Sequence, residues 1–261
     1  MSEIWNIHIN DFSEYRLTGD PRISPAETAR QVACYRKLFS PLGSNSAVAD
    51  VACGDGRQTL PLARVYEKVV GFDNDEQQMH RARERSAEFD NVKFVRADMR
   101  KELPVSSGTF DGVLSGFSSW GFYGPKGDQQ SLHQMSCLLK PGGVFVLDYG
   151  NVEARLREIR EHGVWTENLQ QRVKLDTLYD PHGQEVTRTS WIDADGWYHW
   201  ICQRVGSPNP LLIGSQKGYY PDELKDMLRQ AGLEPTAMYG GYNLEPVNDT
   251  NVRLIVRAEK L

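Results

Sequence analysis

Between about residues 46 and 150 the chain alternates short β-branched runs with stretches of helical periodicity, and this rhythm leaves little choice of architecture. Strands separated by helices form βαβ units and a parallel sheet. Five runs read as strands: Ala47 to Ala52, Lys68 to Phe72, Val92 to Val95, Phe110 to Ser115 and Gly143 to Tyr149. Each is short and almost wholly apolar, as a strand covered on both faces must be.

The intervening helices carry start and stop signals. Asn74 is placed to cap the helix after the second strand, with Gln77 reaching back and Met79 and Ala82 facing inward. Ser131 to Leu139 sets Leu132, Met135 and Leu139 at helical spacing, and Lys140-Pro141-Gly142-Gly143 ends that helix before the fifth strand. Asp222 to Ala231 repeats the arrangement, with Gly232 suited to the left-handed position that closes a helix, and strands over about Glu234 to Tyr239 and Val252 to Ala258 follow. Residues 164–218 break the rhythm. Alternating Val173, Leu175, Thr177 and β-branched Val186, Thr187, Thr189 flank the turn signal Asp180-Pro181-His182-Gly183, which predicts antiparallel strands forming a cap. Before the sheet, Pro25 to Phe39 reads as an amphipathic helix, preceded by an irregular segment with Trp5, Phe12, Tyr15 and Arg22. The expected organisation is an N-terminal helical arm or lid over 1–45, a sheet domain built from 46–163 and 219–261, and the cap of 164–218 inserted in it.

A chain of 261 residues can bury a core without staples. Its formal charge of −5 and a pI near 5.7 argue against nucleic acid or an anionic membrane as partner. No apolar run is long enough to span a bilayer, and Met-Ser-Glu-Ile-Trp-Asn lacks the basic and apolar parts of a secretory signal, so a cytoplasmic protein is expected. The four cysteines, Cys34, Cys53, Cys137 and Cys202, are scattered without a C-x-x-C pair, which suggests neither a zinc site nor a disulfide framework. No metal is expected.

The first strand runs into Asp50-Val51-Ala52-Cys53-Gly54-Asp55-Gly56-Arg57, a glycine turn that lets a nucleotide approach the backbone. A dinucleotide fingerprint would have a third glycine where Thr59 stands, and its acidic residue would follow the turn, whereas Asp50 precedes it. Asp73 ends the second strand, where a carboxylate can accept both hydroxyls of a ribose, and Asp98 ends the third. Taken singly, each aspartate could serve as a local cap. Three of them at the ends of neighbouring strands mark a ligand site.

From about Asp50 to Tyr149 the chain resembles the class I S-adenosylmethionine-dependent methyltransferases, and Leu139-Lys140-Pro141-Gly142-Gly143 resembles a late motif of that family. The resemblance implies a Rossmann-like, doubly wound α/β fold with a seven-stranded, mostly parallel sheet and an antiparallel cap insertion. It also implies that S-adenosylmethionine lies along Ala52, Cys53 and Gly54, with Asp73 and Asn74 at the ribose and Asp98 with Met99 framing the adenine. Asp50 starts the loop, Ser115 ends the fourth strand beside it, and Tyr15 and Arg22 of the N-terminal arm would fold over the cofactor. Cys53 is expected to matter for its backbone only.

The stretch Leu114 to Tyr123 is where the family places the acceptor. It lacks the acidic or amide residue with two prolines and an aromatic that marks methylation of base or glutamine amides, and Asp111 with Asp148 do not make a metal cluster. The serines and glycines among aromatics are similar to bacterial small-molecule N-methyltransferases acting on amines and aminosugars. Phe117, Trp120, Tyr123, Tyr149 and Asn151 are the candidate acceptor residues, the aromatics being equally suited to core packing. An amine needs only its lone pair, whereas a hydroxyl would benefit from a base. Of six histidines His199, beside Trp197, Tyr198 and Trp200, is the one candidate, and no other catalytic residue is assigned. N-methylation of a small molecule in natural-product or secondary metabolism is therefore expected. O-methylation, a non-catalytic cofactor-binding scaffold and a homo-oligomer stay open, while a polyamine synthase would want an acidic pocket where this chain is neutral and aromatic.

Overall fold

The computed structural model describes residues 21–179 and 183–261. The expectations for Trp5, Phe12 and Tyr15, and for the Asp180-Pro181-His182 part of the cap turn, fall outside those residues. A short turn, Pro21–Ile23, leads to α1 (Pro25–Leu38), whose start is capped by Ser24 accepting from the Glu27 amide at 3.2 Å. There follow β1 (Ala47–Val51), α2 (Thr59–Ala63), β2 (Lys68–Asp73), α3 (Glu76–Arg85), β3 (Val92–Arg96), β4 (Phe110–Ser115), α4 (Gly124–Leu138), β5 (Leu139–Gly150) and α5 (Val152–His162). Five strands come next: β6 (Val164–Thr166), β7 (Gln171–Tyr179), β8 (Glu185–Ile192), β9 (Trp197–Arg204) and β10 (Leu212–Lys217). The chain closes with α6 (Pro221–Gln230), β11 (Leu233–Tyr239) and β12 (Arg253–Lys260).

The large sheet has seven strands in the order β11-β12-β5-β4-β1-β2-β3. β1 to β5 run parallel, and β12 alone is inserted antiparallel, between β5 and β11. Both faces are covered, which is why the strands read as continuous apolar runs. Alternation divides β4 between two cores: Val113 packs with Phe145, Leu132 and Leu228 on one face, and Leu114 with Tyr35, Phe39 and Val146 on the other. A second sheet, β10-β9-β8-β7-β6, is wholly antiparallel. Among the described residues no helix is long and apolar enough to cross a membrane.

Several boundaries differ from the sequence expectation. Asp75 rather than Asn74 caps α3, accepting from the amides of Gln77 and Gln78 at 2.9 and 3.1 Å. The reason is that Asp73 is still the last residue of β2, so the turn into the helix begins one residue later. α4 begins at Gly124, because Pro125 suits a first turn where its missing N–H is no loss. α5 was not foreseen. Its sequence is dense in charge and only Val152, Ala154 and Ile159 are buried.

Two buried carboxylates fix the parts around the sheet's carboxyl edge. Asp148, on β5, has no exposure and accepts from Arg253 Nε of β12 at 2.8 Å, with Arg253 Nη2 on the same oxygen. Its other oxygen accepts from Tyr35 Oη of α1 at 2.5 Å, Tyr242 Oη at 2.9 Å and the Phe117 amide at 3.1 Å. Asp50, on β1, accepts from Thr59 Oγ1 at 2.6 Å and so ties the strand to the start of α2. Desolvation pushes the Asp50 carboxyl up to about 6, against the pull of the Thr59 bond and of Arg57.

Removing Arg253 as Arg253→Met leaves Asp148 charged, buried and short of its counter-ion, a change that costs about 3 to 5 kcal/mol. Tyr35→Phe removes one bond to a charged group, about 1 to 3 kcal/mol. Urea unfolding should rank the two in that order. Asp50 supplies a test by pH. In the unfolded chain it titrates near 3.9, so between about pH 4 and 6 the folded form holds a proton that the unfolded form has lost. Its contribution favours folding at low pH and fades as pH rises through 6. Asp50→Asn should therefore gain stability relative to the parent between pH 4.5 and 7.5, on the order of 2 kcal/mol. A constant difference across that range would mean that Asp50 does not titrate there.

Candidate active site

β1 and β4 lie side by side although the chain visits β2 and β3 between them, and the crevice at such a reversal is where open α/β sheets hold ligands. β1 is followed by Ala52 at φ 61°, a left-handed value that costs a non-glycine residue on the order of 1 kcal/mol or more. Gly54 follows at φ 56°, and its amide donates to Asp73 Oδ2 at 2.8 Å. Asp73 Oδ1 accepts from the Asp75 amide at 2.9 Å. Burial nonetheless holds the Asp73 carboxyl above its usual range. A narrow crevice opens beside these groups, lined by Ala52, Asp73, Asn74, Ala97, Met99 and Tyr123. Its lining combines a half-buried carboxylate and backbone with the thioether of Met99 and the ring of Tyr123.

Of the residues expected at the cofactor, the structure brings Ala52, Gly54, Asp73, Asn74 and Met99 together. Asp50 faces Thr59 rather than the crevice and supports the loop from behind. Cys53 is buried, its thiol pushed well up by desolvation, which suits a packing residue. Asp98 turns to Arg100, which meets both carboxylate oxygens at 3.0 and 2.7 Å and holds the carboxyl below its usual range. Ser115 is fully buried and its Oγ has no hydrogen-bond partner, an orphan at the end of β4. Arg22 precedes α1, its carbonyl accepting from Gln31 Nε2 at 2.9 Å and its charge acting on the Cys202 thiol of β9.

The acceptor candidates separate further. Phe117 and Ser118 both take left-handed backbone, at φ 54° and 60°, and the Phe117 ring lies 4.9 Å from the Arg57 guanidinium and 5.4 Å from that of Arg253. Tyr123 belongs to the crevice, under Arg100 at 4.3 Å. Trp120 and Tyr149 have no exposure and pack on each other and on Tyr219 with centroids 5.1 to 6.3 Å apart. Their polar atoms are occupied, Trp120 Nε1 by Asp128 O and Ser131 Oγ and Tyr149 Oη by Lys217 O, so they form the floor of the loop and not its surface. Asn151 caps α5 through the Glu153 amide and donates to Asn248 O, which occupies both ends of its amide.

His199 is held by Asp193 at 2.8 Å and Ser215 at 2.6 Å and stacks on Trp191. It alternates along β9 with Tyr198, which pairs with Gln216 of β10. Gln216 Nε2 donates to Ser118 O at 3.0 Å and Trp120 O at 2.6 Å, so its face meets the β4–α4 loop and His199 occupies the opposite face. Of the other described histidines, His80 meets Glu84, His133 meets Cys137, and His162 ends α5. Among the described residues no group of three or more His, Cys, Asp and Glu side chains is gathered as a metal would require.

Sequence reasoning missed a polar cluster beside the loop. Arg57 Nη1 donates to Thr28 Oγ1 at 2.7 Å and Gln31 Oε1 at 2.8 Å, and Gln58 Nε2 donates to Gln31 Oε1 at 2.9 Å and Tyr35 Oη at 3.2 Å. Desolvation lowers the pKa of Arg57. The available signal was Gln31, a polar residue on the apolar face of α1. Asp148, Arg253 and Tyr242 gave none, being 94 and 105 positions apart in their contacts.

Residues 48–143 match the family model described as a methyltransferase domain. A demethylmenaquinone methyltransferase of Staphylococcus aureus is 35% identical over 100 residues, which are 37% of this chain and 40% of that protein. The match thus spans well under half the length of the curated relatives. Among solved structures, the CcbJ methyltransferase from Streptomyces caelestis superposes with a TM-score of 0.74 at 20% identity, covering 98% of this chain and 97% of that one. An S-adenosylmethionine-dependent methyltransferase from Clostridium acetobutylicum gives 0.71 at 13%, covering 89% and 92%. CalS10, an amino pentose methyltransferase from Micromonospora echinaspora, gives 0.59 at 21%, covering 90% and 91%. At such identities the superpositions show a shared fold. Residues 48–143 thus match a methyltransferase-domain model, and the sheet order agrees with the fold shared with these S-adenosylmethionine-dependent methyltransferases.

Proposed function

We propose that the chain transfers a methyl group from S-adenosylmethionine to a nitrogen of a small-molecule acceptor, in natural-product or secondary metabolism. The observation that carries this reading is the crevice bounded by the left-handed Ala52 and by Asp73, Asn74 and Met99, which opens toward the β4–α4 loop. Asp73 and Asn74 would hold the ribose, and Ala97, Met99 and Tyr123 would enclose the adenine. The orphan Ser115 hydroxyl and the Arg57 guanidinium, whose hydrogen bonds go to neutral oxygens, would meet the methionine portion and its carboxylate. Bound there, the cofactor supplies an electrophilic methyl for in-line displacement. The chain's own task is to aim the acceptor and exclude water.

The choice of nitrogen rests on what surrounds the Phe117 to Tyr123 loop. Its side chains are aromatic or hydroxylic, the carboxylate beneath it is committed to Arg253 and two tyrosines, and His199 projects from the far face of the second sheet. An acceptor amine can act through its lone pair without a protein base. Two proteins of similar fold, an amino pentose methyltransferase and a sugar N-methyltransferase, agree with this reading.

Calorimetric titration with S-adenosylhomocysteine should show binding in the micromolar range, about −8 kcal/mol, and NADH should give no heat. Asp73→Ala should weaken the thioether at least tenfold, a loss of about 1.4 kcal/mol or more. Absence of thioether binding by the folded parent protein would overturn the methyltransferase reading. Once an acceptor is in hand, its own deprotonation should set the rise of rate with pH, and His199→Gln should leave that profile in place. A lost or shifted limb in His199→Gln would restore the histidine as a base and favour a hydroxyl acceptor.

A further inference from the structure

Tyr198, Gln216, Ser190 and Arg188 share one face of the second sheet, by the register of β8, β9 and β10. That face meets α5 and the β4–α4 loop. One contact between them is Arg155 of α5, whose Nη1 donates to Gln216 Oε1 at 3.1 Å while its guanidinium lies 4.2 Å from the Tyr198 ring centroid. The neighbouring cations have counter-ions: Arg188 has Asp176 at 2.7 Å, and Arg253 has Asp148. Among the described residues Arg155 has no carboxylate partner. Desolvation lowers its pKa, and Arg253 and Arg188 add repulsion. On the same face, Ser190 is 1% exposed and its hydroxyl has no partner.

A largely buried guanidinium among other cations is costly unless something negative joins it. Its five donors form a planar fork that fits a carboxylate or a phosphate. The sequence holds 35 Asp and Glu residues, and among the described residues none of them pairs with Arg155. Arg155 also stands apart from the Asp73 crevice and reaches the acceptor loop through Gln216, which holds the carbonyls of Ser118 and Trp120. We propose that the acceptor bears an oxyanion, carboxylate or phosphate, and that the Arg155 fork binds it beneath the second sheet. The inference rests on the methyl-transfer reading, since it names a property of that reaction's substrate. Anchoring the acceptor by its anionic group leaves its amine to be aimed from the β5 edge toward the crevice.

The test titrates inorganic phosphate and benzoate into the protein, alone and saturated with S-adenosylhomocysteine, with ionic strength held constant by chloride. The expected result is saturable one-to-one binding of at least one probe above the chloride control. Arg155→Gln should weaken it tenfold or more with thioether affinity kept within twofold. Arg157→Gln, an exposed arginine on the same helix paired with Glu161, should leave anion binding unchanged. Binding of phosphate alone or of benzoate alone identifies the group the acceptor carries, and binding of both supports the fork without ranking them. If Arg155→Gln fails to fold, Arg155→Lys, which keeps the charge and loses the fork, should weaken binding about threefold. No binding above chloride, or equal losses in Arg155→Gln and Arg157→Gln, would overturn the proposal. Because the probes are also titrated without the thioether, failure of the cofactor to bind is read separately and overturns the methyltransferase assignment instead.

Discussion

The pair formed by Asp148 and Arg253 underlies everything at the carboxyl edge of the sheet. A carboxylate with no exposure sits on the interior strand β5, its counter-ion comes from β12, and the remaining lone pairs take hydroxyls from α1 and from the Tyr242 segment and an amide from the loop after β4. Exchanging such a pair for apolar residues is often neutral or stabilising, so its value is not in net free energy. What it provides is uniqueness: four separate pieces of chain reach one residue, and none can shift without leaving a buried polar group unmatched. The left-handed Phe117 and Ser118 are held where an ordinary loop would relax, with the Phe117 amide on Asp148 and the Ser118 hydroxyl on Arg253.

The crevice beside Asp73 is built differently. There the backbone does most of the work, through Ala52 and Gly54 in left-handed conformation and the Gly54 amide on Asp73, and the side chains behind it serve as support. Asp50 and Asp73 look alike in sequence, each an acidic residue at a strand's end, but one faces the helix that follows and the other faces the crevice. Charge is also distributed unevenly. In a chain of formal charge −5, Arg57 and Arg253 lie against the Phe117 ring and Arg155 against that of Tyr198.

The fold was legible because parallel strands buried on both faces leave continuous apolar runs, and their order followed from the alternation with helices. The glycine turn and Asp73 were legible for the same reason, since position in such a sheet dictates what a loop residue can touch. Contacts between distant segments were not. Nothing in the run around Leu147 announces that Asp148 will meet Arg253, and a helix such as α5, with three buried positions among charges, gives a weak periodic signal. Trp120 and Tyr149 show the limit from the other side. Aromatic content marked the acceptor loop, but only packing decides which rings form its floor and which face a ligand.

Gln216 has a consequence for how such a molecule diversifies. Its amide gives two hydrogen bonds to the loop carbonyls of Ser118 and Trp120 and takes one from Arg155, a combination of two donors and an acceptor that neither glutamate nor methionine can supply. The second sheet and the loop are therefore registered to each other through one side chain. A graft that exchanged this sheet for a relative's would carry over new side chains for recognising a substrate, yet would keep the loop's shape only where an amide of that length stood at the junction.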